Sequence, residues 1–430
     1  MEITGQEDKS EKAWAEGVAR KIVDKERKVA ERNKGRIPYR TENHRFDDQS
    51  TPSGIAWWTN GFWGGMMWQL WQETKEEVFR ENALFTEEKL DAVFLNYQGM
   101  DHDSGFRWLP TAVTNYRLNG DEKSKNRGLL AAANLAGRFN ANGNFIRAWN
   151  DWGDGRDTTG WAIIDCMMNL PLLYWASATL GDPRFYQIAT AHARTAARYF
   201  IREDHSARHI VGFDPKTGAF DREYGGQGLS EGSSWTRGQG WALYGFTLSY
   251  LHTGEWDFLR EATDLADKFL TEIPEGGLLP VDFKQPSEIC WQDGSATSLA
   301  ACGLLTLAQI LEGSLCEIIK SNVQNDNACF AQKPHLQGDG VVAKAFRKLE
   351  RYYKEEFPGK EKAREYRKAA MKMLHALDEK GCDYNPEHDE LVNRCSVAYH
   401  EEKHDFPLIY ADYFYIEAIW KLTGREVFIW

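Results

Sequence analysis

The feature that most constrains this chain is a helical grammar repeated along it. A Gly- and Ala-rich apolar helix ends near a glycine, and a charged amphipathic helix follows. One copy runs from Thr158 through Asp165 and Gly181-Asp182-Pro183 to about Phe200. A second runs from Trp235 through Thr253-Gly254-Glu255 to about Ile273. The chain end, Tyr410 to Phe428 around Gly424, has the same order, and the Asn119-Gly120 and Glu312-Gly313 turns mark further copies. Convincing runs of strand alternation are absent, so the expected class is all-α. Each hairpin, of about 60 to 70 residues, cannot bury its apolar face alone. An open solenoid would show capping repeats and shorter, more regular periods. Roughly six long hairpins closing on themselves instead make an (α/α) toroid, with apolar helices inside and charged helices outside. The expectation is therefore a single domain over 1–430. Two stretches break the pattern. Residues 314–340 are polar and rich in Asn, Gln and Asp, and read as a surface insertion. Lys344 to Leu377 is a dense charged helical pair and reads as a solvated outer layer.

In such a closure the helix starts converge at one end, and there the tryptophans gather. The chain has 17 of them. Several sit in short turn-like stretches: Trp57-Trp58-Thr-Asn-Gly-Phe-Trp63, Trp149-Asn-Asp-Trp152 and Trp235-Thr-Arg-Gly-Gln-Gly-Trp241. Core aromatics usually lie inside apolar runs, whereas these are interleaved with Asp, Asn, Gln and Arg. A flat aromatic face stacks on a sugar ring, and the polar neighbours read hydroxyls and carboxylates, so a carbohydrate pocket is expected. The net charge of −12 argues against nucleic acid or an anionic membrane as partner, but permits an acidic small ligand held by local Arg and His. No apolar signal region opens the chain, and no apolar run is expected to span a bilayer. The seven cysteines are odd in number and none has C-x-x-C spacing, so neither a disulfide framework nor a zinc site is expected. These features predict a cytoplasmic protein.

Three places carry candidate chemistry. In His102-Asp103-Ser104-Gly105, Asp103 is either a catalytic carboxylate, an acceptor for sugar hydroxyls, or a turn-forming Asp. Asp165 lies in Trp161-Ala-Ile-Ile-Asp-Cys-Met-Met-Asn-Leu170, read as helix and apolar on nearly every face. Burial there raises its pKa, as a general acid near neutral pH requires. The competing reading is an outward Asp, or one bonded to Asn169. Arg237, with Gln239 and Trp241, and with Gln227 and His209 upstream, offers a planar fork for a carboxylate. Gly238 and Gly240 speak against a surface-paired Arg and for close backbone approach. His400-Glu401-Glu402-Lys403-His404 matches the H-E-x-x-H zinc pattern literally. Asp405-Phe406-Pro407 ends any helix at once, so a polar loop is the better reading.

Taken together, these motifs resemble the unsaturated glucuronyl hydrolases of glycoside hydrolase family 88. The resemblance covers about residues 10–310 and 405–424. It rests on Trp-Thr-Asn-Gly-Phe-Trp (58–63), His-Asp-x-Gly-Phe (102–106), Ile-Ile-Asp-Cys-Met-Met-Asn-Leu (163–170), Ser-Trp-Thr-Arg-Gly-Gln-Gly-Trp-Ala-Leu-Tyr-Gly (234–245) and Asp-Tyr-Phe-Tyr-Ile-Glu-Ala (412–418). It implies an (α/α)6 barrel and release of a 4-deoxy-4,5-unsaturated uronic acid from lyase-generated oligosaccharides. The implied route protonates C4 and adds water at C5, unlike the two-carboxylate route of ordinary glycosidases. On these positions the resemblance implies Asp165 as general acid and then base, with Asp103 as second essential carboxylate. It implies Arg237 and Gln227 on the substrate carboxylate and His209 near the reacting centre. Trp57 or Trp58 would lie under the unsaturated ring and Trp149 under the next sugar, with Trp235, Trp241 and His102 lining the pocket. No metal or organic cofactor is implied. The expected partner is a small unsaturated uronide, and the parent polysaccharide stays open. Departures are Asp293-Gly294-Ser295, where the family has Asp-Ser-Ser, and a 393–404 loop without a clean sulfate-favouring Ser/Lys pattern, although Arg394 and Lys403 lie in it. Alternatives are an unsaturated rhamnogalacturonyl hydrolase of family 105 and a non-catalytic uronide-binding protein.

Overall fold

The computed structural model of the protein describes residues 2–314 and 359–430, with side chains from residue 9 onward. The expected 314–340 insertion, apart from Ser314, and the first part of the charged 344–377 segment lie outside the described residues. The helices are α1 (Glu2–Arg32), α2 (Asn60–Thr74), α3 (Glu77–Lys89), α4 (Ser104–Trp108), α5 (Thr114–Asn119), α6 (Glu122–Gly137), α7 (Leu170–Leu180), α8 (Pro183–Tyr199), α9 (Thr236–Thr253), α10 (Trp256–Glu272), α11 (Gly294–Glu312), α12 (Gly359–Lys380) and α13 (Ile409–Thr423). A π turn, Leu109–Val113, joins α4 to α5 end to end. The inner ring runs α2 on α4, α4 on α7, α7 on α9, α9 on α11, α11 on α13, and α13 back on α2. Outside, α3, α6, α8, α10 and α12 each cover the inner helix that precedes them, and α1 covers α13. The chain therefore forms an (α/α)6 barrel whose sixth hairpin pairs the first helix with the last.

The two rings follow from residue pattern. Inner α9 is buried on every side, from Thr236 to Leu251 without a break. Its outer partner α10 buries Phe258, Leu259, Ala262, Leu265, Ala266 and Phe269, a single stripe at helical spacing, and turns its charges outward. The joint between them is made by Gly254, left-handed at φ +69, where a side chain would be strained. In the α7–α8 joint, Gly181 has φ +68, the Asp182 side chain caps the Arg184 N–H, and Pro183 begins α8. The described part of the charged segment, α12, is outer as expected. It is not wholly solvated, because Tyr366, Ala370, Met373, Leu374 and Leu377 face the core.

Two expectations need correction. Strands are present: the hairpins β1 (Thr41–Glu42) with β2 (Arg45–Phe46) and β3 (Phe139–Asn140) with β4 (Phe145–Ile146), and an antiparallel sheet of β5 (Trp161–Ile163), β6 (Ile210–Phe213) and β7 (Phe220–Tyr224). The Trp161–Leu170 run is accordingly a strand and a 3-10 turn, not the first part of a helix. In addition, among the described residues one helix, α11, is long and apolar enough to cross a membrane, though Gly294 to Leu311 are all buried as an inner stave of the barrel.

Candidate active site

Six inner helix starts converge on one end, and the sequence-predicted residues collect there. Trp58 precedes α2, Asp103 precedes α4, and Asp165 lies on the turn before α7. Trp235 precedes α9, Asp293 precedes α11, and Tyr410 opens α13. Ring contacts tie the starts together: Trp58 meets Phe106 at 5.4 Å and Tyr410 at 5.0 Å.

The small sheet sets the first catalytic pair. Ile163 of β5 pairs with Ile210 of β6, and the Ile164 N–H donates to the His209 carbonyl at 3.0 Å. The two residues just beyond this rung, Asp165 and His209, then face each other, with Oδ1 and Nε2 3.8 Å apart. His209 Nδ1 accepts the Gln227 backbone N–H at 2.9 Å. Neutral His209 must therefore carry its proton on Nε2, the atom toward Asp165. Burial holds that imidazole neutral, at about 3, with the Arg237 charge acting the same way. Burial also pushes the Asp165 carboxyl up to about 7, against the pull of Arg237. Asp165 keeps its side chain 15% exposed, and its Oδ1 has no hydrogen-bond partner. A carboxyl poised near neutrality, with one oxygen free of protein partners, is what a proton donor needs.

Asp103 stands at the N-cap position of α4, yet its side chain caps nothing. The turn-forming reading thus fails, and Asp101 Oδ1 instead takes the Asp103 N–H at 2.9 Å. Asp103 Oδ1 sits 3.5 Å from His102 Nε2 and 3.4 Å from Asn169 Nδ2. Burial and the neighbouring Asp101 raise its pKa well above the ordinary range, Arg107 opposes them, and Asp165 adds to the rise. An ionised Asp165 thus disfavours ionisation of Asp103 beside it. From sequence Asn169 stands only as a possible partner of the Asp165 side chain. It bridges the pair, since Nδ2 also lies 3.3 Å from the Asp165 carbonyl while Oδ1 accepts the Phe106 N–H at 2.8 Å. Truncating Asn169 to Ala removes the anchor of Asp103, and leaving a buried polar group unsatisfied costs about 1–3 kcal/mol. We expect a loss of about ten- to a hundredfold in kcat/KM with the fold intact, read by steady-state kinetics and circular dichroism.

Arg237 is placed differently from a free fork. Its guanidinium is 1% exposed, and Nη1 donates to Asp293 Oδ2 at 2.5 Å, to Ser295 Oγ at 3.1 Å and to the Ser396 carbonyl at 2.7 Å. Nη2 donates to the Val397 carbonyl at 2.5 Å, and the guanidinium stacks over Trp235 at 4.5 Å. Arg237 is thus a buried charge behind the pocket wall that clamps the 396–397 segment. Gln227 joins the same clamp, with Nε2 donating to Val397 O at 2.8 Å. The Asp-Gly-Ser departure is now legible. A side chain on Gly294 would come within 2.5 Å of the Asn393 carbonyl, and Ser295 supplies the hydroxyl contact. Gly238 and Gly240 make room for Trp235 and Leu299, so their close approach is to protein rather than ligand.

The aromatics divide. Trp57 is exposed and edges onto Tyr39, and Trp58 is half-buried. Trp149 is half-buried, stacks near Trp152 at 4.6 Å and touches His102 edge-on at 6.4 Å. Trp161 and Tyr224, 4.5 Å apart, extend this shelf over the sheet, a feature not read from sequence. Trp235 is buried against His209 at 4.3 Å. Trp241 does not line the pocket: it is fully buried against Phe106 and Phe414. His400 and His404 are in a loop as expected, with His400 Nε2 at the Leu229 carbonyl and His404 stacked on Trp291.

Comparison with known proteins agrees with this geometry. Residues 18–355 match the profile of Glycosyl Hydrolase Family 88. The chain is 39% identical to an unsaturated glucuronyl hydrolase of Bacillus sp. (strain GL1) across 60% of this chain and 68% of that protein. It is 34% identical to an unsaturated chondroitin disaccharide hydrolase of Streptococcus pneumoniae across 57% of this chain and 62% of that protein, less than two thirds of it. Among solved structures, the Bacillus sp. GL1 enzyme superposes with a TM-score of 0.77 at 30% identity, covering 95% of this chain and 96% of that one. The unsaturated glucuronyl hydrolase of Streptococcus agalactiae gives 0.79 at 26%, covering 97% and 94%.

Proposed function

This chain belongs to glycoside hydrolase family 88, and from that membership we propose that it releases 4-deoxy-4,5-unsaturated uronic acid from the non-reducing end of lyase-generated oligosaccharides. The observation that carries this is the Asp165 carboxyl, raised to about 7 and facing His209 Nε2 across 3.8 Å. A relative solved with dGlcA-Glc-Rha-Glc superposes over 95% of this chain, which supports a small oligosaccharide as substrate. In the proposed step, protonated Asp165 gives its proton to C4 of the ring enol ether. Positive charge develops at C5 and the ring oxygen, and water adds at C5 while returning a proton to Asp165. The hemiketal so formed opens and releases the aglycone. Asp103, held by Asn169, accepts ring hydroxyls and helps keep Asp165 protonated. His209 offers its Nε2–H to the reacting face. Trp58 forms the floor for the unsaturated ring, and the Trp149 shelf carries the next sugar. Arg237 gives the pocket its positive charge from behind the wall. A cytoplasmic location is proposed too, supported by five unpaired cysteines among the described residues, Cys166, Cys290, Cys302, Cys382 and Cys395.

The experiment is loss of ultraviolet absorbance from a panel of unsaturated disaccharides, sulfated and unsulfated. Consumption of the conjugated double bond is expected. No loss on any of them, with turnover of pectin-derived unsaturated uronides instead, would favour the rhamnogalacturonyl reading. The same assay against pH tests the acid. Asp165 is protonated below about 7 and ionised above it, so kcat should fall as pH rises through the neutral range. An activity still climbing above pH ~8 would contradict Asp165 as donor.

A further inference from the structure

Away from the six helix starts, the β1–β2 hairpin meets the 383–390 loop. His44 lies in the hairpin turn at φ +62, a strained setting for a residue with a side chain. Its ring stacks on that of His388, with centroids 3.7 Å apart and planes 8° from parallel. His44 Nδ1 lies 2.5 Å from Glu390 Oε1, and His388 Nδ1 lies 2.6 Å from Asp383 Oδ2. One potential ligand atom from each of these four side chains falls within 4.8 Å of all the others. Glu390 is only 3% exposed, and its Oε2 is buried without a hydrogen-bond partner. An unpaired buried carboxylate oxygen is costly, and a cation beside it would remove the cost. The hydrolytic chemistry uses none of the four residues.

We propose that His44, Asp383, His388 and Glu390 bind one divalent transition-metal ion of the zinc class as a structural clip. Two imidazoles with two carboxylates are a borderline donor set suited to four-coordinate zinc. Calcium and magnesium prefer shells made of oxygen. Bonds of about 2.0–2.2 Å require the four atoms to draw inward. The hairpin turn allows this, because the His44 side chain is 55% exposed. Neighbouring Asp389 accepts Arg32 Nε at 2.9 Å, Asn33 Nδ2 at 3.2 Å and the Phe46 N–H at 3.1 Å. The ion would lock the hairpin onto the segment that leads from Glu390 to Ser396 and Val397, whose carbonyls hold Arg237.

The test is calorimetric titration of the chelator-treated full chain with zinc alone, for wild type, His44→Ala, His388→Ala and His400→Ala. One ion per chain is expected in wild type. Affinity should drop more than about tenfold in His44→Ala and His388→Ala, since even outer-shell partners of a metal contribute that much. It should be unchanged in His400→Ala, and zinc should raise the unfolding midpoint of wild type but not of His44→Ala. The His44 side chain is 55% exposed, so its variant is expected to keep the fold, which circular dichroism checks. No saturable binding at micromolar zinc would overturn the proposal. So would equal binding by His44→Ala, or loss of binding in His400→Ala alone.

Discussion

Replacing Asp165 with Asn is expected to cut kcat by about a hundred- to ten-thousandfold, the range that a positioned general acid supplies. The amide has nearly the same volume as the carboxyl, so the pocket walls stay where they are. What disappears is the only proton that can be handed to C4 and taken back from the attacking water. Burial keeps the native carboxyl protonated near neutrality, at about 7, whereas the Asn amide is far too weak an acid to give up a proton at any working pH. Substrate affinity should change little, because Asp165 Oδ1 makes no hydrogen bond in the free site that Asn would break. The measurement is kcat from ultraviolet absorbance beside disaccharide affinity from tryptophan fluorescence. A rate near wild type would remove Asp165 from the mechanism. A matching loss of binding would recast it as a recognition residue. Asp103→Asn provides the contrast: it too should slow turnover, but with weakened binding, since that carboxyl is assigned to ring hydroxyls.

Much of this fold was legible because the inner and outer helices differ in kind. An inner helix such as α9 carries glycines and no face for water, while α10 shows one apolar stripe, and glycine ends most inner helices, although Lys75 takes the left-handed position after α2. The number of hairpins and their closure followed. What escaped was the small sheet. β5 has three residues inside an apolar run that continues into α7, so composition alone reads it as helix. Only pairing with β6, 47 residues later by Ile163↔Ile210, makes it a strand, and long-range pairing has no local signature. That omission mattered, because the sheet is what sets Asp165 against His209. The carboxylates themselves were readable, as Asp165 is conspicuous among apolar neighbours. Asn169 was weighed only as a partner for Asp165 side chain to side chain, whereas it holds the Asp165 carbonyl and the Asp103 carboxyl. Arg237 was read as a fork aimed at ligand. Its partners Asp293, Ser396 and Val397 are distant in sequence, so nothing local revealed that the fork is already engaged. Trp241 sat in a polar, Gly-rich motif that looked like pocket rim, yet the helix turns its ring into the core.

Arg237→Met should destabilise the protein by about 3–5 kcal/mol, the usual cost of removing one partner of a buried ion pair. The reason lies in what remains. Asp293 is fully buried and its Oδ2 would lose its cation, while the Ser396 carbonyl would lose its Arg237 donor and the Val397 carbonyl would keep only Gln227. Adding Asp293→Asn should recover part of the loss, because the orphaned charge goes with it, and a double-mutant cycle by chemical denaturation reads the coupling directly. A second consequence separates electrostatics from packing. Arg237 is the main influence holding the Asp165 pKa down against burial. Without it the Asp165 carboxyl should stay protonated to higher pH, so the alkaline limb of kcat should move upward even as overall activity falls. Arg237→Lys keeps the charge but not the planar fork, and should lose stability while leaving the limb near its native position. If Arg237→Met is as stable as wild type and its pH limb does not move, Arg237 is neither the clamp of the 396–397 segment nor the charge that tunes Asp165.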